Sequence, residues 1–165
     1  MTETKKRARR RVGDILKIDL GGNLHAYAQV ATDPIIVFFD GVHEADVPFE
    51  NVSTWPVAFR LAVMTYAVKS GVWPVVGFQP LSSANAVEPT FFKQDAISGR
   101  LYLHHSTFAE TNWERPAQLS ECQGLERAAV WDPGHVVDRL RDRHAGRPNS
   151  WAESMKIDLA RLPPP

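Results

Sequence analysis

Three short apolar segments packed into residues 14–40 constrain this chain more than any other feature. Residues 14–20 alternate, with Leu16, Ile18 and Leu20 on one face and Lys17 and Asp19 on the other, the period of a half-buried strand. Gly21-Gly22-Asn23 tolerates positive φ and can reverse the chain. Residues 24–30 alternate again, Leu24, Ala26, Ala28 and Val30 against His25, Tyr27 and Gln29. After a turn at Asp33-Pro34, Ile35-Ile36-Val37-Phe38-Phe39 is too short for a stable helix and rich in β-branched residues, so it reads as a strand buried on both faces. Three strands joined this tightly predict a strongly curved antiparallel sheet or partial barrel.

Further along, residues 40–56 read as an acidic loop in which Asp40, Glu44, Asp46 and Glu50 face no Lys or Arg. Residues 57–68 are expected to be one strand and 72–77 another, with Pro74 confining the latter to an edge or a bulge. Residues 79–95 read mostly as loop, with Phe91-Phe92 as a buried anchor. A short strand follows at 101–105, with Trp113 on its partner. Ser120 is expected to cap a helix running to about Val130. Asp132-Pro133 is a strong start signal for a second helix, to about His144, with Val136, Val137 and Leu140 inward and a stop at Gly146. The expected class is α+β, mostly β, with one or two C-terminal helices. Its parts are a flexible basic arm (1–11), a single domain (12–157) and an extended Pro-rich tail (158–165).

The chemistry that could mark an enzyme is thin. His43, Glu44 and Asp46 lie close together, but position 47 is Val, so the two-histidine helical zinc pattern is missing. His104 and His105 adjoin on a strand and point to opposite faces, so one metal cannot take both. Asp14, Asp19 and Asp40 sit near strand ends, where aspartates are common for turn and capping reasons. The glycines fit no phosphate-loop spacing, and the single cysteine, Cys122, reads as a small buried apolar residue. Asp138 and Asp142 interleaved with Arg139, Arg141 and Arg143 read as a salt-laced exposed face. No catalytic, metal or cofactor residues are assigned, and the expectation is a protein without catalysis.

Charge is informative where chemistry is not. The chain is neutral, with 19 bases and 19 acids, yet residues 1–11 hold six bases and one acid. The remainder carries 13 bases against 18 acids, an acidic body behind a basic arm. Five tryptophans and an acidic 40–50 segment suit a protein that docks another protein, since aromatics supply affinity and charge speeds encounter. No apolar run nears the roughly 18 residues of a membrane helix, the first residues are charged, and one cysteine fits a reducing compartment, so a cytoplasmic setting is expected.

The order of motifs resembles the immunity protein 26 family of bacterial polymorphic toxin systems. The resemblance rests on Gly13-Asp14-Ile15-Leu16-Lys17-Ile18, Ala26-Tyr27-Ala28-Gln29-Val30 and Ile36-Val37-Phe38-Phe39-Asp40. It continues through 59–77, Phe91-Phe92-Lys93-Gln94-Asp95, 121–131 and the helix of Asp138 to Asp142 with Ala145-Gly146. It spans roughly 12–157, departing at Val72, where a basic residue is expected before Trp73, and in a longer stretch at 106–112. The resemblance implies a cytoplasmic antitoxin that binds one cognate toxin domain and blocks it non-covalently, with no catalytic residues to transfer. Net charge makes a nuclease the expected toxin and Asp40, Glu44, Asp46 and Glu50 the expected contacts. The alternative is a small nucleic-acid-binding module that grips phosphate through Lys5 to Arg11.

Overall fold

The structure, a computed structural model, describes residues 9–105 and 113–165. Most of the basic arm (1–8) and the 106–112 stretch lie outside the described residues. The opening meander follows the alternation closely: β1 (Asp14–Gly21), β2 (Leu24–Val30) and β3 (Ile35–Phe39). Asn23 and both neighbouring glycines take positive φ in the reversal that joins β1 to β2. β4 (Val57–Val63) then adds antiparallel to β3.

The expected long strand over 57–68 stops early. After β4 the chain turns into α1 (Tyr66–Lys69), where adjacent Ala67 and Val68 are both buried, as one helical turn allows and an alternating strand does not. β5 (Val75–Phe78) returns antiparallel along β1 and sits at the sheet edge, as Pro74 requires. α2 (Ser83–Ala86) follows. Phe91 and Phe92, expected as a loop anchor, instead open β6 (Phe91–Gln94). β6 pairs with β7 (Leu101–His104), and β7 pairs with β8 (Glu114–Ala117). With a last short strand, β9 (Val130–Trp131), the described strands form two open sheets, one of order β5-β1-β2-β3-β4-β9 and one of order β6-β7-β8, the α+β, mostly-β class expected.

The helix expected from Ser120 to Val130 is only α3 (Leu119–Cys122). Gln118, not Ser120, is its N-cap, in a reciprocal capping box with Glu121. Gly124 at φ +79° turns the chain away soon afterwards. β9 (Val130–Trp131) joins β4 in parallel, which leads directly into α4 (Pro133–His144). There the start signal acts as read: the Asp132 carboxylate accepts from the Gly134 N–H at 2.7 Å and Pro133 holds the first turn. α5 (Ser150–Ser154) closes the helical part.

Both faces of the large sheet are covered. Leu16, Ile18, Ala28, Phe38 and Leu61 pack under Trp73, Trp131 and the Val136 and Leu140 stripe of α4. Ile15, Tyr27, Val37 and Phe39 pack on the opposite face with Val52 and Phe91. A third cluster, Phe92, Leu101, Leu103 and Cys122, backs the small sheet.

Arg10, Arg11 and the C-terminal segment are more integrated than charge and proline content suggest. Arg10 donates to the Ala31 and Ile35 carbonyls at 2.9 and 2.8 Å, and Arg11 pairs with Asp14 at 3.2 Å. These two residues belong to the folded body, which with them carries 15 bases against 18 acids. The C-terminal segment makes a 3-10 turn at Leu159–Arg161 rather than running extended from 158. Gln94 and the Asp158 backbone exchange hydrogen bonds of 3.0 and 2.9 Å, and Leu162 packs on the third cluster. Gly99 lies so close beneath the Arg161 carbonyl that a Cβ there would overlap it.

Candidate functional site

The register of β1 against β2 sets Lys17 opposite Tyr27 and Asp19 opposite His25, all four on one face near the hairpin end. Over this face the 40–56 loop folds back and is fastened at four points. His25 and His43 exchange backbone hydrogen bonds of 2.9 Å each way. The Tyr27 hydroxyl accepts the Val47 N–H at 3.1 Å and shares a second hydrogen bond with His25 Nε2 at 3.0 Å. Lys17 Nζ meets Asp46 at 2.6 Å. The rings of His25, Tyr27, His43 and Trp55 meet edge-on or tilted, with centroids no more than 6.0 Å apart between neighbours.

Beside this fastened loop lies a cleft of about 900 Å³, lined by Lys17, Asp19, Leu24, His25, Glu44 and Asp46, with Val72 and Pro74 as one wall. Burial, reinforced by the nearby Lys17 charge, holds the His25 imidazole below its ordinary pKa. The hydrogen bond to Lys17 keeps the Asp46 carboxyl low, and the same bond raises the lysine. With His25 neutral, three carboxylates face one ammonium, a net charge of −2. Neither Glu44 nor Asp19 has an ion-pair partner among the described residues, although Asp19 accepts the Gly21 N–H at 2.8 Å. Such a cleft attracts a cationic group by complementarity.

Of the four carboxylates expected to make contacts, the fold brings together Glu44 and Asp46 and leaves two elsewhere. Asp40 sits at the far end of β3 and is gripped by Nε and Nη2 of Arg143 on α4, each at 3.1 Å, which lowers its carboxyl pKa. Glu50 is exposed in the turn before the 3-10 helix Val52–Thr54, outside the cleft. Lys17, Asp19 and His25 complete the site; the signal for them was the polar face of the alternation at 14–30.

The other candidates are dispersed. Asp14 pairs with Arg11 and, by register, lies about 13 Å along the strands and about 10 Å across them from Asp40. Asp14 and Asp40 are therefore too far apart to share one cleft with His43 for acid–base work. His104 is buried while His105 meets Thr90 Oγ1 at 3.1 Å, on the opposite face. Cys122 is fully buried, and that burial raises its thiol pKa. Arg139, expected on a solvated face, is instead half-buried; it holds Glu126 with its two terminal nitrogens and lies 4.1 Å over the Phe59 ring. Among the described residues, no group of three or more His, Cys, Asp or Glu could hold a metal ion. No helix among them is long and apolar enough to cross a membrane.

The family model of Immunity protein 26 matches residues 11–103, more than half of the chain. This chain belongs to the Immunity protein 26 family. The matched span carries β1 to β7 up to Leu103 and every residue of the cleft; α4, β9 and the C-terminal segment follow it. An immunity role, and with it a toxin as partner, comes with membership of the family. No curated protein and no solved structure matches the chain.

Proposed function

We propose that this protein neutralises one cognate toxin domain in the bacterial cytoplasm by binding it non-covalently and covering its active site or substrate surface, without catalysis. What carries the reading is the coincidence of an immunity-family chain with an acidic cleft built inside the matched span. The cleft accepts a basic residue of the toxin between Asp19 and Glu44. A toxin that handles nucleic acid needs a basic face, so a nuclease is the partner class that this surface complements best. Asp40 and Glu50, outside the cleft, contribute little to the contact.

The test is a binding titration against the toxin domain encoded beside this chain's gene, at about 50 mM and about 500 mM salt, where screening lengths differ severalfold. Tight one-to-one binding with loss of toxin activity supports the proposal, and weaker binding at high salt supports the electrostatic part. The triple variant D19N/E44Q/D46N should slow association at least tenfold, whereas D40N/E50Q should leave it unchanged. Absence of a complex refutes the immunity reading. A complex that ignores both salt and the triple variant removes the cleft from the contact.

A further inference from the structure

The six-stranded sheet ends at β5, whose one strand partner among the described residues is β1. Phe78 lies opposite Asp14, while the adjacent Gln79 donates to the Gly13 carbonyl at 3.0 Å. Backbone groups in an antiparallel pair turn alternately toward and away from the partner, so the N–H and C=O of Phe78 point outward, off the sheet. Val76 is the unpaired residue of a bulge. Val75, Val76 and Phe78 are 39%, 38% and 42% exposed, and Val72 is 55% exposed. No charged side chain occurs from 72 to 78. Natural sheets usually guard such an edge with lysine or cover it.

The edge is also held rigid. Phe49 lies against Gly77 so closely that no Cβ would fit, and Phe78 is clasped between Gly13 and the Arg11 guanidinium, 4.0 Å above its ring. It runs straight on from the cleft wall, since Pro74 and Val72 line the cleft and the Pro74 carbonyl accepts from the Lys17 N–H.

The geometry points to strand addition: the free edge of β5 receives an extended segment of the toxin domain. This inference rests on the immunity reading and names the contact through which it works. Pro74 and the bulge limit the pairing to about three or four residues. The segment is apolar where it crosses Val75, Val76 and Phe78, and carries a basic residue where it reaches Asp19 and Glu44. The five residues from Pro74 to Phe78 span about 13 Å, so one short strand bridges both features.

Hydrogen exchange on the full chain, free and bound to the toxin domain encoded beside its gene, tests this directly. The Phe78 amide, and its neighbours in Val75–Phe78, should slow at least tenfold in the complex. Val76→Lys, at a half-exposed position, should weaken binding at least tenfold, and Ile97→Lys, in the exposed turn between β6 and β7, should not. A tight complex without protection at Val75–Phe78 overturns the inference and leaves the immunity reading standing. So does a free protein that dimerises through this edge and is made monomeric by V76K, because the occupant is then a second copy. If no complex forms at all, the immunity reading fails, and strand addition by a toxin fails with it.

Discussion

Replacing Tyr27 by Phe removes a single hydroxyl, but that hydroxyl joins the sheet to the acidic loop. It takes the Val47 N–H at 3.1 Å and shares a hydrogen bond with His25 Nε2 at 3.0 Å, in a side chain that is almost wholly buried. In Y27F the buried imidazole nitrogen loses its partner, and the Val47 N–H must find water. A buried polar group left unsatisfied costs about 1–3 kcal/mol. Water can reach the partly buried Val47 amide, so the two losses together come to about 2–3 kcal/mol. For a chain of this size that is a fall in Tm of about 4–12 °C. Urea unfolding should show a lower midpoint with an unchanged slope, because the surface exposed on unfolding stays the same. Exchange of the Val47 amide should accelerate more than that of the β2–β3 ladder, since the loop is released before the sheet. Toxin binding should weaken too, although Tyr27 is too buried to touch a partner. A loss below about 0.5 kcal/mol, with Val47 exchange unchanged, would show that the loop is held by other contacts and refute this account.

Two further outcomes follow from the packing and the charges. Gly99→Ala puts a side chain at φ +71° directly under the Arg161 carbonyl, so the C-terminal segment must lift off. With its strain and the loss of the Gln94–Asp158 hydrogen bonds, the variant should lose about 2–4 kcal/mol and expose 158–165 to carboxypeptidase; wild-type stability would show that the segment is dispensable. Acid should destabilise the fold in two stages. His25 and His104 have folded pKa values below their ordinary ones, both chiefly through burial, so the unfolded chain binds more protons. Their contribution is complete above the unfolded value of about 6.5 and is lost as pH falls below it. Asp40, Asp132 and Asp142 are held low by hydrogen bonds, so their contribution disappears as pH falls below about 4. A denaturation midpoint that stayed level from pH 7.5 to 5.5 would mean both imidazoles protonate freely in the folded protein.

What the sequence made legible was whatever local physics decides. Alternation placed β1 and β2 within a residue, and Asp132-Pro133 placed the start of α4. The 57–68 stretch misled because its strand-like half, Phe59 to Val63, runs without a break residue into Ala67 and Val68, which are apolar in either state. Phe91 to Gln94 is too short to announce a strand; it is one because β7, the next strand along the chain, pairs with it. The acidic loop was visible as charge, but its division was not. Arg143 claims Asp40 across 103 positions, while Glu44 and Asp46 fold over β1 and β2. A helix that neutralises one of four carboxylates cannot be inferred from spacing within the loop.

α4 has a consequence for the way the chain must be handled. Everything that forms the cleft has left the ribosome by Pro74, and the β1-to-β4 meander joins sequence neighbours, the kind of pairing that forms early. Yet the apolar face of that meander, Leu16, Ile18, Phe38 and Leu61, is covered by Trp131, Val136 and Leu140, which come far later. During synthesis the binding surface therefore precedes its own support, and the nascent chain carries an uncovered greasy wall for some sixty residues. A fragment trimmed to the family match at 103 would keep every cleft residue and freeze the protein at that vulnerable moment. The shortest dependable fragment has to run past Leu140.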